Sequence, residues 1–132
     1  MSDREILFRA KRADNGEWIY GDRIVEPYGV VIQYYRDNKR IKAVIIPETL
    51  GQYTGLTDEN GQQIFEGDIL KYTNEDDEAH YIKVVFEDCA FLIEDDGITD
   101  CDLLTSYICL GLKLGGNIHD NPELLEANNE QH

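Results

Sequence analysis

Residues Pro47 to Leu70 read PETLGQYTGLTDENGQQIFEGDIL, and almost every position in this stretch has a legible backbone role. Two short β-favouring runs, Tyr53 to Leu56 and Gln63 to Phe65, flank Asp58-Glu59-Asn60-Gly61. Asn-Gly supplies the positive φ angles that a tight hairpin turn needs, so the spacing predicts a hairpin. A second turn at Glu66-Gly67-Asp68 leads into a strand over Ile69 to Thr73, where Ile69 and Lys71 point one way and Leu70 and Tyr72 the other. Strands joined by turns this short pair antiparallel.

The same pattern extends outward in both directions. On the N-terminal side, Ile6, Phe8 and Ala10 share one face of a strand, and Asn15-Gly16 turns the chain into Glu17 to Tyr20. There Trp18 shares a face with Tyr20, opposite Ile19, either as core packing or as an exposed stacking platform. Val30 to Tyr35 and Ile41 to Ile46 form a second hairpin, whose tip carries Arg36, Asp37, Asn38, Lys39 and Arg40. On the C-terminal side, His80 to Glu87 alternates, with Ile82, Val84 and Phe86 on one face, and Phe91 to Glu94 pairs back onto it before a turn at Asp96-Gly97. Ile108, Leu110, Leu112 and Leu114 recur at spacing two and predict a central core strand over Tyr107 to Leu114. Asn121, Pro122 and Glu123 then cap and start a short helix near residues 121–127, and residues 128–132 form a frayed tail.

Three separated signatures make the sequence similar to the YopX family of phage and prophage proteins. The first is Phe8-Arg9-Ala10 with Trp18-Ile19-Tyr20-Gly21-Asp22. The second is Thr49 to Leu56 with the Asp58-to-Gly61 turn and Glu66-Gly67-Asp68-Ile69. The third is Gly116-Asn117-Ile118-His119-Asp120-Asn121-Pro122-Glu123-Leu124-Leu125. The family usually carries an aromatic where this chain has Lys11. The resemblance implies a mainly β protein of bacteriophage origin with no established biochemical role.

At 132 residues and 15.2 kDa the chain fits one domain, residues 1–132, and no Gly- or Pro-rich linker interrupts it. Turn signals at short intervals predict an all-β or mainly β fold, with antiparallel hairpins forming a small barrel or bent sheets. Cys89, Cys101 and Cys109 are odd in number and lack Cys-x-x-Cys spacing, and no apolar leader run precedes the first strand, which predicts the reduced host cytoplasm. The longest apolar-rich run is far short of the ~20 residues that span a bilayer, so no membrane role is expected.

The net charge of -15 is unevenly spread. Residues 1–50 hold nine Lys/Arg against eight Asp/Glu, whereas residues 51–132 hold three against nineteen. The acidic half repels phosphate backbones, so no direct nucleic-acid binding is expected. Its charge serves solubility, or else imitates DNA as a decoy for DNA-binding host proteins. His80, His119 and His132 lack zinc-site spacing, and Ser2 and Ser106 lie outside any nucleophile-elbow pattern. Neither a cofactor nor a metal motif is present; Glu66 and Asp68, beside a glycine at the mouth of a strand, are the one carboxylate pair that suggests metal-dependent chemistry. The expected role is therefore a non-enzymatic module that binds a protein partner. Its interaction candidates are Trp18, Arg36, Lys39 and Arg40, Gln52 and Tyr53, and Glu66 and Asp68. A basic hairpin tip and an acid-rich second half on one molecule also predict a possible homo-oligomer.

Overall fold

A computed structural model describes residues 6–73, 76–87, 90–95, 98–103 and 112–126. The predicted turn at Asp96-Gly97, residues 107–111 of the predicted core strand and the predicted tail all lie outside these. The chain divides into two compact units, Met1–Gly55 and Leu56–His132. Both are antiparallel and bent, which is the second of the two mainly β forms expected.

The first unit contains β1 (Phe8–Lys11), β2 (Trp18–Glu26), β3 (Gly29–Arg36), β4 (Lys39–Val44), a single 3-10 turn at Pro47–Thr49, and the start of β5 (Gly51–Thr57). Its sheet order is β4-β3-β2-β1-β5. Phe8 and Arg9 lie opposite Gln52 and Gly51. The Lys11 N–H donates to Thr49 Oγ1 at 2.8 Å, while Thr49 Oγ1 donates to the Ile46 carbonyl at 2.6 Å. Finally Arg12 bridges to Ile45, flanked by Ala13 N–H to Val44 O and Ile46 N–H to Lys11 O, each 2.9 Å. The sheet thus curls until its first and fourth strands touch, but through one bridge and not a full ladder. Inside the curl lie Ala10, Ile19, Ile32, Tyr34, Ala43 and Ile45, with Phe8, Val30, Ile41 and Leu50 packed around them. Ile6, expected to share that face, precedes β1 and is 67% exposed.

The predicted hairpin tips form where expected. Asp37 and Asn38 take φ of 53° and 62°, two left-handed residues that join β3 to β4 with the right-handed twist of the pair. β2 extends six residues beyond the predicted Tyr20, because Val25 and Glu26 still find partners in Val30 and Gly29.

The described residues of the second unit contain the end of β5, then β6 (Gln63–Phe65), β7 (Asp68–Thr73), β8 (Ala79–Glu87), β9 (Ala90–Asp95), β10 (Ile98–Leu103), β11 (Lys113–Asn117) and a short helix, α1 (Glu123–Glu126). Past Gly55, β5 pairs with β6, and a five-stranded sheet follows in the order β10-β9-β8-β7-β11. Ile64, Leu70, Ile82, Val84, Ile93 and Leu112 form its core, joined by Leu56 and Leu114. Leu112 and Leu114 are therefore core residues as expected, although β11 begins only at Lys113. Ile69 and Leu70 are both fully buried, so β7 is covered on both faces there instead of one. Phe86, expected beside Ile82 and Val84, lies beyond the core and is about half exposed. β10, ITDCDL, is too polar to read as a strand and forms through pairing with β9. At α1 the Asn121 side chain turns backwards: its Oδ1 accepts the Asn117 N–H at 3.2 Å, while Leu124 and Leu125 N–H donate to the Asn121 and Pro122 carbonyls.

Candidate functional site

β2 changes partners midway. Its first part, Trp18 to Gly21, pairs with β1, and its second, Asp22 to Glu26, with β3. The hinge is Gly21. A Cβ there would lie 2.1 Å from the Gln33 carbonyl oxygen and 3.2 Å from Tyr34 Cβ, so only glycine lets β3 cross this closely. Beyond the Asp22 and Gln33 pair the two strands part, and the space between them is an open groove of about 340 Å³ lined by Trp18 to Asp22 and Gln33 to Arg36.

Strand alternation sets what faces outward. Ile19 and Tyr34 point into the first core. Trp18, Tyr20 and Asp22 alternate with Ile19, and Gln33 and Tyr35 alternate with Tyr34, so these five share the outer face. Tyr20 and Tyr35 are exposed. Trp18 is half-buried beneath cations, with the Arg9 guanidinium 4.8 Å and Lys11 Nζ 5.4 Å from its ring centroid. Such placement lets the ring's negative face attract both charges while the cationic stems cover its carbon surface.

Ion pairs adjoin two of the lining residues, Tyr34 and Arg36. Arg36 Nη2 donates to Glu17 Oε1 at 2.6 Å, and its guanidinium lies 5.5 Å from the Tyr34 ring centroid. Arg12 donates to both oxygens of Asp14, at 2.9 and 2.7 Å, and to the Tyr34 hydroxyl at 2.6 Å. The hydrogen bond from Arg36 holds the Glu17 carboxyl below its ordinary range, and the one from Arg12 does the same for Asp14. Reciprocally, Asp14 first and Tyr34 second raise the Arg12 guanidinium, and Glu17 raises that of Arg36. All four therefore stay charged at any physiological pH.

The eight predicted candidates separate into four pairs. Trp18 and Arg36 line the groove. Lys39 and Arg40 stand beside it across β3, as partners of Arg36 and Tyr35. Gln52 and Tyr53 belong to β5: Gln52 opposes Phe8, and Tyr53 is buried with its N–H donating to Leu7 O at 2.8 Å. Glu66 and Asp68 lie in the second unit, at the β6 to β7 turn. Asp68 is 2% exposed, and its Oδ2 accepts the Phe65 N–H at 2.7 Å. Gly67 between them, at φ 91°, donates to Val84 O and accepts from Ile118 N–H, each at 2.9 Å. Among the described residues no three His, Cys, Asp or Glu side chains converge as a metal site, and no described helix is long and apolar enough to cross a membrane.

Two features escaped the sequence. Tyr20, Gln33 and Tyr35 join Trp18 only through the β2 and β3 register, for which the alternation of Trp18 with Tyr20 is a partial signal. Asp58, read as part of a simple turn, is buried and organises the whole loop. Its Oδ1 accepts the Asn60 and Gln62 N–H groups, both at 2.9 Å, and its Oδ2 accepts the Leu114 N–H at 3.1 Å. Only Gly61, and not Asn60, takes positive φ there, so the loop is wider than the predicted Asn-Gly turn.

The family model described as YopX protein matches residues 7–126 of this chain. No curated protein matches it. Among solved structures, protein EF1440 from Enterococcus faecalis is similar, with a TM-score of 0.62 and 22% sequence identity over 92% of this chain and 98% of that one. At that identity the likeness is one of fold.

Proposed function

The chain belongs to the YopX family, and from that membership we propose that it is a non-enzymatic accessory protein of a phage or prophage which acts by holding a protein partner in the bacterial cytoplasm. The observation that carries this reading is the outer-face groove of the first unit. Trp18, Tyr20, Tyr35 and Arg36 meet there, and Tyr, Trp and Arg are the residue types that dominate the energetics of protein interfaces. Tyr20 and Tyr35 are exposed although apolar ring surface gains from burial, and they stand on rigid strands that lose little entropy on binding. Of the two carboxylates of the enzymatic alternative, Asp68 is buried and closes a turn.

The test is capture of partners from a bacterial extract by the immobilised protein and by a Tyr20→Ala/Tyr35→Ala variant with the same melting temperature. Loss of the specific partners in the variant supports this role; an identical set retained by both refutes it. A second reading draws on the charge. The division at Gly55 and Leu56 also separates a first unit with nine basic and eight acidic residues from a second with three and nineteen. An acid-rich unit of this kind suits a DNA-imitating decoy, and DNA-binding proteins among the captured partners, lost when Asp76, Asp77 and Glu78 are neutralised, would favour it.

A further inference from the structure

We propose that the groove between β2 and β3 receives an extended acidic segment of the partner protein, its carboxylates directed toward Lys39 and Arg40 beside the groove's hairpin-tip end. This rests on the protein-binding reading above and names the chemistry of what is bound. Three cations of the first unit are already matched by carboxylates: Arg12 by Asp14, Arg36 by Glu17, and Lys42 by Glu26. Lys39 and Arg40 are exposed and have no carboxylate in ion-pair contact among the described residues. They sit directly across from Arg36 and Tyr35, with Arg40 on the outer face beside Tyr35 and Lys39 on the face of Arg36, so two uncommitted charges flank the hairpin-tip end of an aromatic-walled groove.

The other end closes at Asp22, which opposes Gln33 at the point where the strands meet. A carboxylate there repels an acidic side chain and accepts an N–H, while Gln33 offers both donor and acceptor. The groove therefore has a polarity: acidic residues toward Arg40, uncharged ones toward Asp22. Its volume of about 340 Å³ lies at the low end for ligand sites, suited to a few side chains of an extended strand and not to a globular surface. Single-stranded nucleic acid would also find aromatic faces and cations here. However, it carries a phosphate at every step and meets a molecule of net charge -15, whereas a segment with a few carboxylates adds little repulsion beyond its own contacts.

Fluorescence anisotropy with the intact protein tests this, using a short labelled peptide of Asp, Glu and Tyr, its counterpart with every Asp and Glu replaced by Asn and Gln, and a short oligothymidylate. The acidic peptide is expected to bind about tenfold more tightly than its neutral counterpart and to weaken by about tenfold with Lys39→Gln/Arg40→Gln. It should strengthen with Asp22→Asn. Equal binding of the two peptides, lost with Tyr35→Ala, would overturn the acidic preference and leave the protein-binding role standing. Tighter binding of the oligothymidylate would overturn it in favour of nucleic acid. Failure of both peptides to bind at millimolar concentration would overturn it too, and the extract experiment then decides the broader role independently. Light scattering on the protein alone covers the remaining occupant. A dimer dissolved by Lys39→Gln/Arg40→Gln would make that occupant a second copy and not a separate partner.

Discussion

Gly21 and Asp58 are single residues on which whole loops and strands depend, for opposite reasons. At Gly21 the constraint is the absence of an atom. Gly21→Ala would set a methyl group against the Gln33 carbonyl at 2.1 Å, a backbone atom that cannot swing away. The expected cost is about 2–3 kcal/mol, with the groove widened or lost, measurable by chemical denaturation. At Asp58 the constraint is a charge with three donors. Burial alone would raise this carboxyl, but the Gln62, Leu114 and Asn60 amides, with Lys113 nearby, outweigh it and hold the group below its ordinary value of 3.8. A group whose folded value is depressed contributes stability that is complete above the unfolded value and lost as pH falls through the folded one. Acid titration should therefore show a loss of stability below about pH 4. Asp58→Asn, which turns an acceptor for the Leu114 N–H into a donor, is expected to remove about 1–3 kcal/mol at neutral pH and flatten this dependence.

At the scale of elements, the turns carry more information than the strands they join. The 3-10 turn at Pro47–Thr49 completes the edge of β1 because Thr49 Oγ1 accepts from Lys11 and donates to Ile46. Thr49→Val keeps the shape and removes both bonds, so a loss of about 1–2 kcal/mol is expected by thermal melting. The β6 to β7 turn is held by Asp68 and by the backbones of Val84 and Ile118, all within the second unit. Asp68→Ala should lower stability by about 2 kcal/mol while leaving peptide binding at the first unit's groove unchanged in affinity. A loss of binding equal to the loss at Tyr35→Ala would contradict the structural role given to Asp68. Hairpin tips are insensitive by comparison, since Asp37 and Asn38 already occupy the left-handed region and Asn38→Gly should be nearly neutral.

At the scale of the whole molecule, the charge follows the units. The boundary at Gly55 falls inside β5 without a Pro- or Gly-rich linker, yet it separates nearly balanced charge from an excess of sixteen acids. Like charges in the second unit repel one another over distances comparable with the Debye length of about 10 Å at 0.1 M salt. Raising salt from low to physiological strength should therefore slow hydrogen exchange at the core amides of the second unit, such as Ile82, Val84 and Ile93, more than at Ile19 and Ile32 of the first. Mass spectrometry of peptic fragments, taken after labelling the intact chain, reads both. Equal protection in the two units at all salt concentrations would show that the acids are too well solvated to strain their unit.

Much of this architecture is legible in the sequence, because the physical signals are local. Strand alternation depends on neighbours two apart, so the sequence alone puts Phe8 with Ala10, Ile82 with Val84, and Leu112 with Leu114 on shared faces, and in the structure these six belong to the two cores. Turn chemistry depends on adjacent residues, which placed the tip at Asp37 and Asn38 and the bend at Gly67. The family, too, was written in three short signatures. What only the tertiary structure decided involves residues distant in sequence: the strand β10, made by its partner despite a polar composition; the approach of Gly21 to Gln33; the reach of Asp58 to Leu114; and the meeting of Trp18 and Tyr20 with Tyr35. Each depends on register, and register is set by the sum of many pairings across a sheet, which no local pattern contains.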